Sequence, residues 1–343
     1  MKETTALGAS FTRAFDLSVP VIQAPMASIA GAKMVAAAAN AGALGNLPIW
    51  FVPMEAGRAM IRETRALTGK PFAVNLRADL NQTELISMAV DEGVTLFNLF
   101  WGDPAAFMRT IRPAGASLIA TISDADTAKA ALDAGAVALI AQGVEAGGHV
   151  FGTTPLQDLV PAIVELAGGV PVAAAGGIVE ARDVINAFNL GASAVVLGSC
   201  LIVTDEAEAH PGYRKAVLDA KAGDTVLSKC FDGFWPDAPH RTLKNSTYRM
   251  WSEAGFPASG SRAGEGDIIM HTPGGMGIPR YNAAAPTRQM TGDHEAMALY
   301  AGMGVGRIAE ARSTATLIRE MMEAANAGLE RSFDMPPKTP DRR

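Results

Sequence analysis

The sequence predicts an α/β protein in which eight parallel strands close into a (β/α)8 barrel, the TIM-barrel fold. Strand-like and helix-like segments alternate from residue 20 to about residue 203. The strand-like segments are almost continuously apolar, which is typical of a parallel sheet covered on both faces. Eight such segments within about 185 residues favour a closed barrel over an open, doubly wound sheet.

The first four βα units are short apolar runs that alternate with helix-like segments. The first run follows Pro20, and the helix after it is rich in alanine, which has the highest helix propensity. The predicted strands are 21–26, 42–47, 72–76 and 94–100, and the predicted helices are 31–41, 53–67, 82–92 and 104–112.

The last four units repeat the pattern and add glycine-rich turns after the sixth, seventh and eighth strands. The predicted strands are 117–122, 137–141, 170–174 and 194–197, and the predicted helices are 124–134, 154–166 and 180–190. Pro155 suits the first turn of its helix. A dinucleotide-binding open sheet would carry Gly-x-Gly-x-x-Gly in its first turn. That turn here is Ala24-Pro25-Met26-Ala27, which again favours the barrel.

The pattern changes after residue 203, so we expect residues 1–203 to form the barrel. Residues 204–305 are predicted to form an appendage that covers the barrel mouth as a lid, with a helix at 210–222. Helical character returns over 294–329, interrupted by Gly302, Gly304 and Gly306. We therefore expect 306–335 to be a C-terminal helix that closes on the barrel and 336–343 to be a loose tail.

Composition excludes several classes of protein. The chain has 343 residues, is 49% hydrophobic and 19% charged, and carries a net charge of −6. This balance excludes a disordered chain, a coiled coil and a disulfide-rich module. The 29 basic residues are scattered, which argues against nucleic-acid binding. Apolar runs fall short of the roughly 20 residues of a membrane span, and residues 1–10 lack a signal-like apolar core. We expect a cytoplasmic protein.

Glycines after the seventh and eighth strands indicate a phosphate site. Barrel enzymes bind ligands at the carboxyl ends of the strands and often hold phosphate in these two loops. Gly176 and Gly177 follow the seventh strand, and Gly198 and Ser199 follow the eighth. Glycine lets backbone N–H groups approach a phosphate closely. The same glycines would also serve an ordinary tight turn.

His149 is the candidate acid–base residue, because it follows paired glycines in the loop after the sixth strand. Imidazole titrates near neutral pH, although a lone loop histidine often has only a local structural role. The other histidines fall outside the barrel and form no short-spaced pair, so we expect no metal site. No Gly-x-Ser-x-Gly nucleophile motif occurs. Trp50 and Trp101 lie near strand ends, where they would line a pocket or pack under a loop.

These motifs match a known family. The chain resembles the flavin-dependent nitronate monooxygenases, formerly called 2-nitropropane dioxygenases, whose superfamily includes FMN-dependent enoyl-acyl-carrier-protein reductases. The resemblance runs from about Val19 to Ile202 and, more weakly, to Gly306. It is carried by Gln142-Gly143-Val144-Glu145-Ala146-Gly147-Gly148-His149, and supported by Ala24-Pro25-Met26, Asn75, Ala175-Gly176-Gly177-Ile178 and Leu197-Gly198-Ser199.

The resemblance implies non-covalent FMN at the barrel mouth. By this resemblance the backbone at Ala24, Pro25 and Met26 contacts the isoalloxazine ring, Asn75 and Gln142 hydrogen-bond it, and Gly147 and Gly148 lie beside the ring and ribityl chain. Gly176, Gly177, Gly198 and Ser199 would hold the phosphate, and Ala175 is a further cofactor-binding residue. His149 would face the substrate. In its protonated form it would stabilise a nitronate anion, and in its neutral form it would deprotonate a nitroalkane. The implied reaction converts nitronates and O2 into carbonyl compounds and nitrite.

Substrate identity stays open, because the sequence departs from the family pattern. Val150-Phe151-Gly152 follows the histidine, and Met303 stands where the family often has glutamine. An NAD(P)H-dependent FMN reductase acting on an enoyl thioester or quinone is the main alternative. A flavin-binding protein without turnover and a non-flavin isomerase or aldolase are the others. We expect a small-molecule substrate, no membrane partner and a monomer or homodimer.

Overall fold

Eight parallel strands form the centre of the fold, as the sequence predicts. The computed structural model describes residues 8–77 and 79–334, so the expected tail at 336–343 lies outside the described residues. The strands are β1 (Val21–Gln23), β2 (Gly45–Pro48), β3 (Phe72–Arg77), β4 (Leu96–Phe100), β5 (Ser117–Ile122), β6 (Ala138–Gln142), β7 (Val172–Ala175) and β8 (Ala194–Leu197). Their order is β1-β8-β7-β6-β5-β4-β3-β2, and a parallel bridge between Ile22 and Leu44 closes the ring.

Helices surround this ring. They are α2 (Ala32–Asn40), α3 (Met54–Leu67), α4 (Thr83–Asp91), α5 (Pro104–Ile111), α6 (Ala125–Ala134), α7 (Leu156–Leu166) and α8 (Ala181–Asn189). Helix α1 (Ala9–Phe15), which was not predicted, precedes β1, and its Phe11 is buried against the barrel-interior side chains Ile22 and Leu44. Within the described residues, no helix combines the length and the apolar character that crossing a membrane requires.

Two predicted strand boundaries are wrong. Strand β1 ends at Gln23 rather than residue 26, because Pro25 has no N–H for a ladder and the Met26 N–H turns back to the Ala24 carbonyl. Strand β2 begins at Gly45 rather than residue 42, since Gly42 makes a turn at φ 84°. The remaining predicted strands match within two residues at each end.

The chain after β8 builds small sheets and short helices beside the barrel mouth. It contains α9 (Pro211–Asp219), β9 (Thr225–Ser228), β10 (His240–Leu243), α10 (Ser246–Glu253), β11 (Ile268–His271), β12 (Gly277–Pro279), β13 (Thr291–Gly292) and α11 (Thr314–Asp334). Strand β10 pairs on one side with β9 and on the other with a two-residue strand, Gly148–His149, from the loop after β6. The sheet therefore ties this region to the loop that carries the candidate acid–base residue.

The predicted helical character over 294–329 is only partly present. Two short 3-10 turns, His294–Ala296 and Val305–Arg307, precede α11, which begins at Thr314 and packs on α8 and α2. Between the turns the chain is not helical, and its backbone at Gly302 and Gly304 lies against the loops after β6 and β7.

Candidate functional site

A cavity of about 590 Å³ opens at the carboxyl ends of the barrel strands. Every site residue expected from the sequence lines it: Ala24, Pro25, Met26, Asn75, Gln142, Gly147, Gly148, His149, Ala175, Gly176, Gly177, Gly198 and Ser199. The volume lies in the range of small-molecule and cofactor sites. The βα topology explains this convergence, because parallel strands of one barrel end at the same edge.

Two loops present unpaired backbone donors to the cavity. Within the part of the chain that the structure describes, the N–H groups of Gly176, Gly177, Gly198 and Ser199 donate no hydrogen bond. Gly176 and Gly177 adopt φ values of 140° and 67°, which side-chain-bearing residues rarely reach. Four N–H groups at neighbouring strand ends suit an anion such as a phosphate.

A later segment joins these loops through its own glycines. A Cβ on Gly147 would lie 2.5 Å from the Gly302 nitrogen, and one on Gly304 would lie 2.5 Å from the Gly177 carbonyl oxygen. The Gly302 N–H donates to Ser199 Oγ at 2.8 Å. Sequence periodicity missed this role, because the contacts join residues more than 100 positions apart.

Met303 contributes its backbone rather than its side chain to this junction. Its N–H donates to the Glu145 carbonyl oxygen at 2.9 Å, and its side chain is 50% exposed. The departure from glutamine at this position therefore leaves the connection between the segment and the loop after β6 intact.

Two amide side chains reach the cavity from β3 and β6. Gln142 Nε2 donates to the His149 carbonyl oxygen at 3.0 Å, while Gln142 Oε1 is buried and has no partner among the described residues. Asn75 Nδ2 donates to Asn98 Oδ1 at 2.9 Å. Asn98 is fully buried in β4, and the sequence signal for it is an asparagine inside an apolar strand. Asn98 thus fixes the orientation of the Asn75 amide.

The His149 imidazole lies in an apolar part of the cavity. Its ring stacks on Trp235, and its Nε2 is buried without a hydrogen-bond partner in the described chain. Burial, followed by the proximity of His240 and Arg77, lowers the pKa of the His149 imidazole well below its usual value. His149 is therefore neutral at pH 7, and its unpartnered nitrogen faces space that a ligand can fill.

His240 holds the segment that carries Trp235. Its Nδ1–H donates to the Ala238 carbonyl oxygen at 3.0 Å, and its Nε2 accepts the Phe231 N–H at 3.0 Å. One buried imidazole thereby joins the two ends of residues 231–238. Burial lowers the pKa of His240 to about 4, so the ring stays in this neutral tautomer at pH 7.

Arginines that the sequence did not single out also shape the site. Arg77, at the end of β3, lines the cavity with its guanidinium over the Trp235 and Trp50 rings. Arg241 is almost fully buried, and its Nη2 donates to the Val144 carbonyl oxygen at 2.7 Å. Arg241 thus anchors the glycine-rich loop after β6.

The two expected pocket tryptophans have different positions. Trp50 lines the main cavity, whereas Trp101 lies beside a second cavity of about 90 Å³ and packs edge-on against Trp235 and Phe151. Cys200 is buried beneath the mouth, and burial raises the pKa of its thiol to about 12. In the described chain, no three metal-ligating side chains lie close enough to hold an ion.

The donor and acceptor groups of this cavity fit a flavin mononucleotide. The unpartnered Gln142 Oε1 would satisfy a ligand N–H, and the four free backbone N–H groups would satisfy a phosphate. The wall between them is largely apolar, as a planar aromatic ring requires.

Comparisons with known proteins agree with this geometry. A profile of the nitronate monooxygenase family matches residues 10–92 and 81–324. The chain is 29% identical over 365 residues to a nitronate monooxygenase of Pseudomonas aeruginosa, covering 91% of this chain and 98% of the relative. It is 32% identical over 255 residues to a (3aS,4S,5R,7aS)-5-hydroxy-7a-methyl-1-oxo-octahydro-1H-indene-4-carboxyl-CoA dehydrogenase of Mycobacterium tuberculosis, covering 74% and 69%.

Two solved structures share the fold over nearly their whole length. FabK from Thermotoga maritima aligns with a TM-score of 0.81 at 25% identity, covering 94% of this chain and 97% of that one. A nitroalkane oxidase from Streptomyces ansochromogenes aligns with a TM-score of 0.75 at 26% identity, covering 95% and 100%. Because the family profile spans the barrel and the region that follows it, the chain belongs to the nitronate monooxygenase family of flavin-dependent oxidoreductases.

Proposed function

We propose that this protein is an FMN-dependent oxidoreductase that converts alkyl nitronates, or nitroalkanes, and O2 into carbonyl compounds and nitrite. The observation that carries the proposal is the His149 imidazole, which is neutral and has an unpartnered buried nitrogen inside the cavity. The names of the Pseudomonas and Streptomyces relatives support the same substrate class.

The chain's own groups would hold FMN along the cavity. The free N–H groups of Gly176, Gly177, Gly198 and Ser199 would bind the phosphate, with Ala175 leading into this turn. The amides of Asn75 and Gln142 would hydrogen-bond the ring, and the backbone at Ala24, Pro25, Met26, Gly147 and Gly148 would lie against it. Electron transfer from the substrate and reactivity towards O2 are the chemistry that FMN supplies when bound.

His149 would act as the general base towards neutral nitroalkanes. An uncharged imidazole accepts a proton from the carbon beside the nitro group, and an apolar surrounding keeps the ring uncharged before the reaction. A preformed nitronate needs no such proton transfer. Of the two roles expected from the sequence, the lowered pKa favours the neutral base over the cation that stabilises a nitronate.

We also propose that residues 204–305 act as a lid. Gly233, Phe234 and Trp235 from this region line the cavity together with Asn282. A covered site excludes water from the reacting atoms. The expected C-terminal helix at 306–335 begins only at Thr314, and as α11 it would close on the barrel through its packing against α8 and α2.

A reductase that takes electrons from NAD(P)H is the second candidate. The similarity to FabK and to the mycobacterial indene-4-carboxyl-CoA dehydrogenase supports it. The same barrel mouth and the same histidine would serve an enoyl thioester or a quinone.

Anaerobic flavin reduction separates the two functions. The purified protein, reconstituted with FMN, is mixed in separate experiments with ethyl nitronate, nitroethane, NADH and NADPH, and the flavin absorbance is followed. Rapid bleaching by the nitronate supports the monooxygenase, whereas bleaching only by a nicotinamide nucleotide supports the reductase. Absence of flavin binding would overturn both.

A further inference from the structure

Arg77 brings a positive charge to the wall of the cavity. It is the last residue of β3 and is only 5% exposed. Its guanidinium carbon lies 3.2 Å from the ring centroid of Trp235 and 4.9 Å from that of Trp50. These contacts with two aromatic rings hold the guanidinium in place at the cavity surface.

Among the described residues, the hydrogen bonds of Arg77 use only part of its donor set. Its Nε and Nη2 donate to the two carboxylate oxygens of Asp79, at 3.0 and 2.5 Å. Its Nη1 donates to no acceptor within residues 8–77 and 79–334. Asp79 is 30% exposed, so the carboxylate reaches solvent while the guanidinium does not. Asp79 compensates the charge along one edge of the guanidinium, which leaves the Nη1 edge able to bind a further anion.

Among the described residues, no other Lys, Arg, Asp or Glu lines the cavity beside Arg77, and the remainder are apolar or uncharged polar residues apart from His149. His149 and Arg77 contact the same indole, that of Trp235. The positive charge beside the acid–base residue therefore comes from the arginine.

We propose that Arg77 binds the negative group of the substrate, a planar two-oxygen anion such as a nitronate or carboxylate, with the substrate body against Trp50 and Trp235. A guanidinium is planar and its N–H groups match two such oxygens. The proposal rests on the proposed function and deepens it. It assigns the site to small organic anions and makes Arg77 a specificity-determining residue.

Calorimetric titration with propionate and with its neutral isostere propionamide tests the proposal without turnover. The protein reconstituted with FMN is compared with R77M, R77K and the double variant R77M/D79N, which leaves no unpaired carboxylate. R58M is the matched control, because Arg58 also pairs with a carboxylate but does not line the cavity. We expect propionate to bind the parent protein and R58M at least about tenfold more tightly than R77M and the double variant.

Two further results are expected. R77K, which keeps the charge but not the planar donor set, should lie between the parent and R77M. The KM for ethyl nitronate should rise in R77M more than the KM for nitroethane. Equal propionate affinity in parent and R77M, or equal loss for propionate and propionamide, would overturn the proposal.

The FMN content distinguishes this failure from failure of the proposed function. If all variants bind FMN normally and propionate affinity is insensitive to Arg77, only the anion site is wrong. If the parent protein binds no FMN, the proposed function is wrong, and the same titration of the FMN-free parent and variants then tests the anion site separately.

Discussion

The imidazole of His149 stacks on the indole of Trp235, with ring centroids 4.0 Å apart and ring planes inclined by 27°. His149 comes from the loop after β6, whereas Trp235 comes from the region beyond the barrel. The indole covers one face of the base and excludes water from it, and so contributes to its lowered pKa. A residue beyond the barrel thereby helps to keep a barrel histidine uncharged.

Replacing Trp235 with leucine should raise the pKa of His149. The smaller side chain admits water, which favours the imidazolium ion. Since the base acts unprotonated, kcat/KM for nitroethane should begin to fall at a higher pH than in the parent protein. The measurement is the pH profile of kcat/KM. Trp251→Leu is the control, because Trp251 packs on Phe256 outside the cavity. An identical profile in both variants would rule out a role for the stack.

Replacing His149 with glutamine should separate the two substrate forms. Loss of a general base costs about 10²- to 10⁴-fold in rate, so turnover of nitroethane should fall within that range. Turnover of ethyl nitronate should fall much less, because its proton is already gone. Stopped-flow flavin absorbance measures both rates. His271→Gln, at an exposed end of β11 and outside the cavity, is the control. An equal loss for both substrates would contradict the base assignment.

The sequence predicted the barrel, the glycine turns after β7 and β8 and the position of His149 because these follow from local patterns, whereas the expected ring-contacting residues came from the family resemblance. Continuous apolar strands imply a buried parallel sheet, and the loops after β6, β7 and β8 then meet at one edge. It did not predict which residues from later in the chain contact these loops. Trp235 and the Gly302–Gly304 segment contact these loops through tertiary packing, which the hydrophobic periodicity of a sequence does not indicate.

The burial of Arg77, a residue of the barrel itself, could not be predicted from the local sequence either. The predicted strand 72–76 ends one residue before Arg77, and an arginine there equally suits a solvent-exposed strand end. Its burial depends on Trp50 and Trp235, one of which lies in the region beyond the barrel. The role of Asn98 was also not predicted, because it depends on a hydrogen bond that orients Asn75 on the neighbouring strand.

Replacing Gly177 with alanine should weaken FMN binding more than it weakens the fold. Gly177 has φ 67°, and a Cβ there would meet Glu145 Cβ at 3.4 Å beside the free N–H groups. Gly115→Ala is the matched control, because Gly115 has φ 69° and a Cβ there meets nothing within 4 Å. Both variants should lose about 1 kcal/mol of unfolding free energy.

Fluorescence titration of the two glycine variants with FMN measures the difference. We expect the dissociation constant to rise only for Gly177→Ala. Comparable FMN affinity in the two variants would count against a phosphate site at the β7 turn.

The unfolding free energy should fall as the pH drops below about 6.5, because His240 is held neutral in the folded protein. Burial lowers its pKa to about 4, whereas the unfolded chain titrates near 6.5. The unfolded state therefore binds the proton first, so the stability is fully present above pH 6.5 and is lost as the pH falls towards 4. The expected slope for this group is about 1.4 kcal/mol per pH unit.

Urea denaturation at pH 7.5, 6, 5 and 4.5 measures this slope. Burial also lowers the pKa values of His149 and His210, which add to the loss in the same direction. The variant H240N replaces the imidazole with a neutral amide that cannot titrate, so its slope should be shallower by about 1.4 kcal/mol per pH unit. Because His240 joins both ends of residues 231–238, the variant should also release Trp235 and increase its fluorescence quenching by acrylamide. Equal slopes in parent and variant would show that another group causes the acid sensitivity.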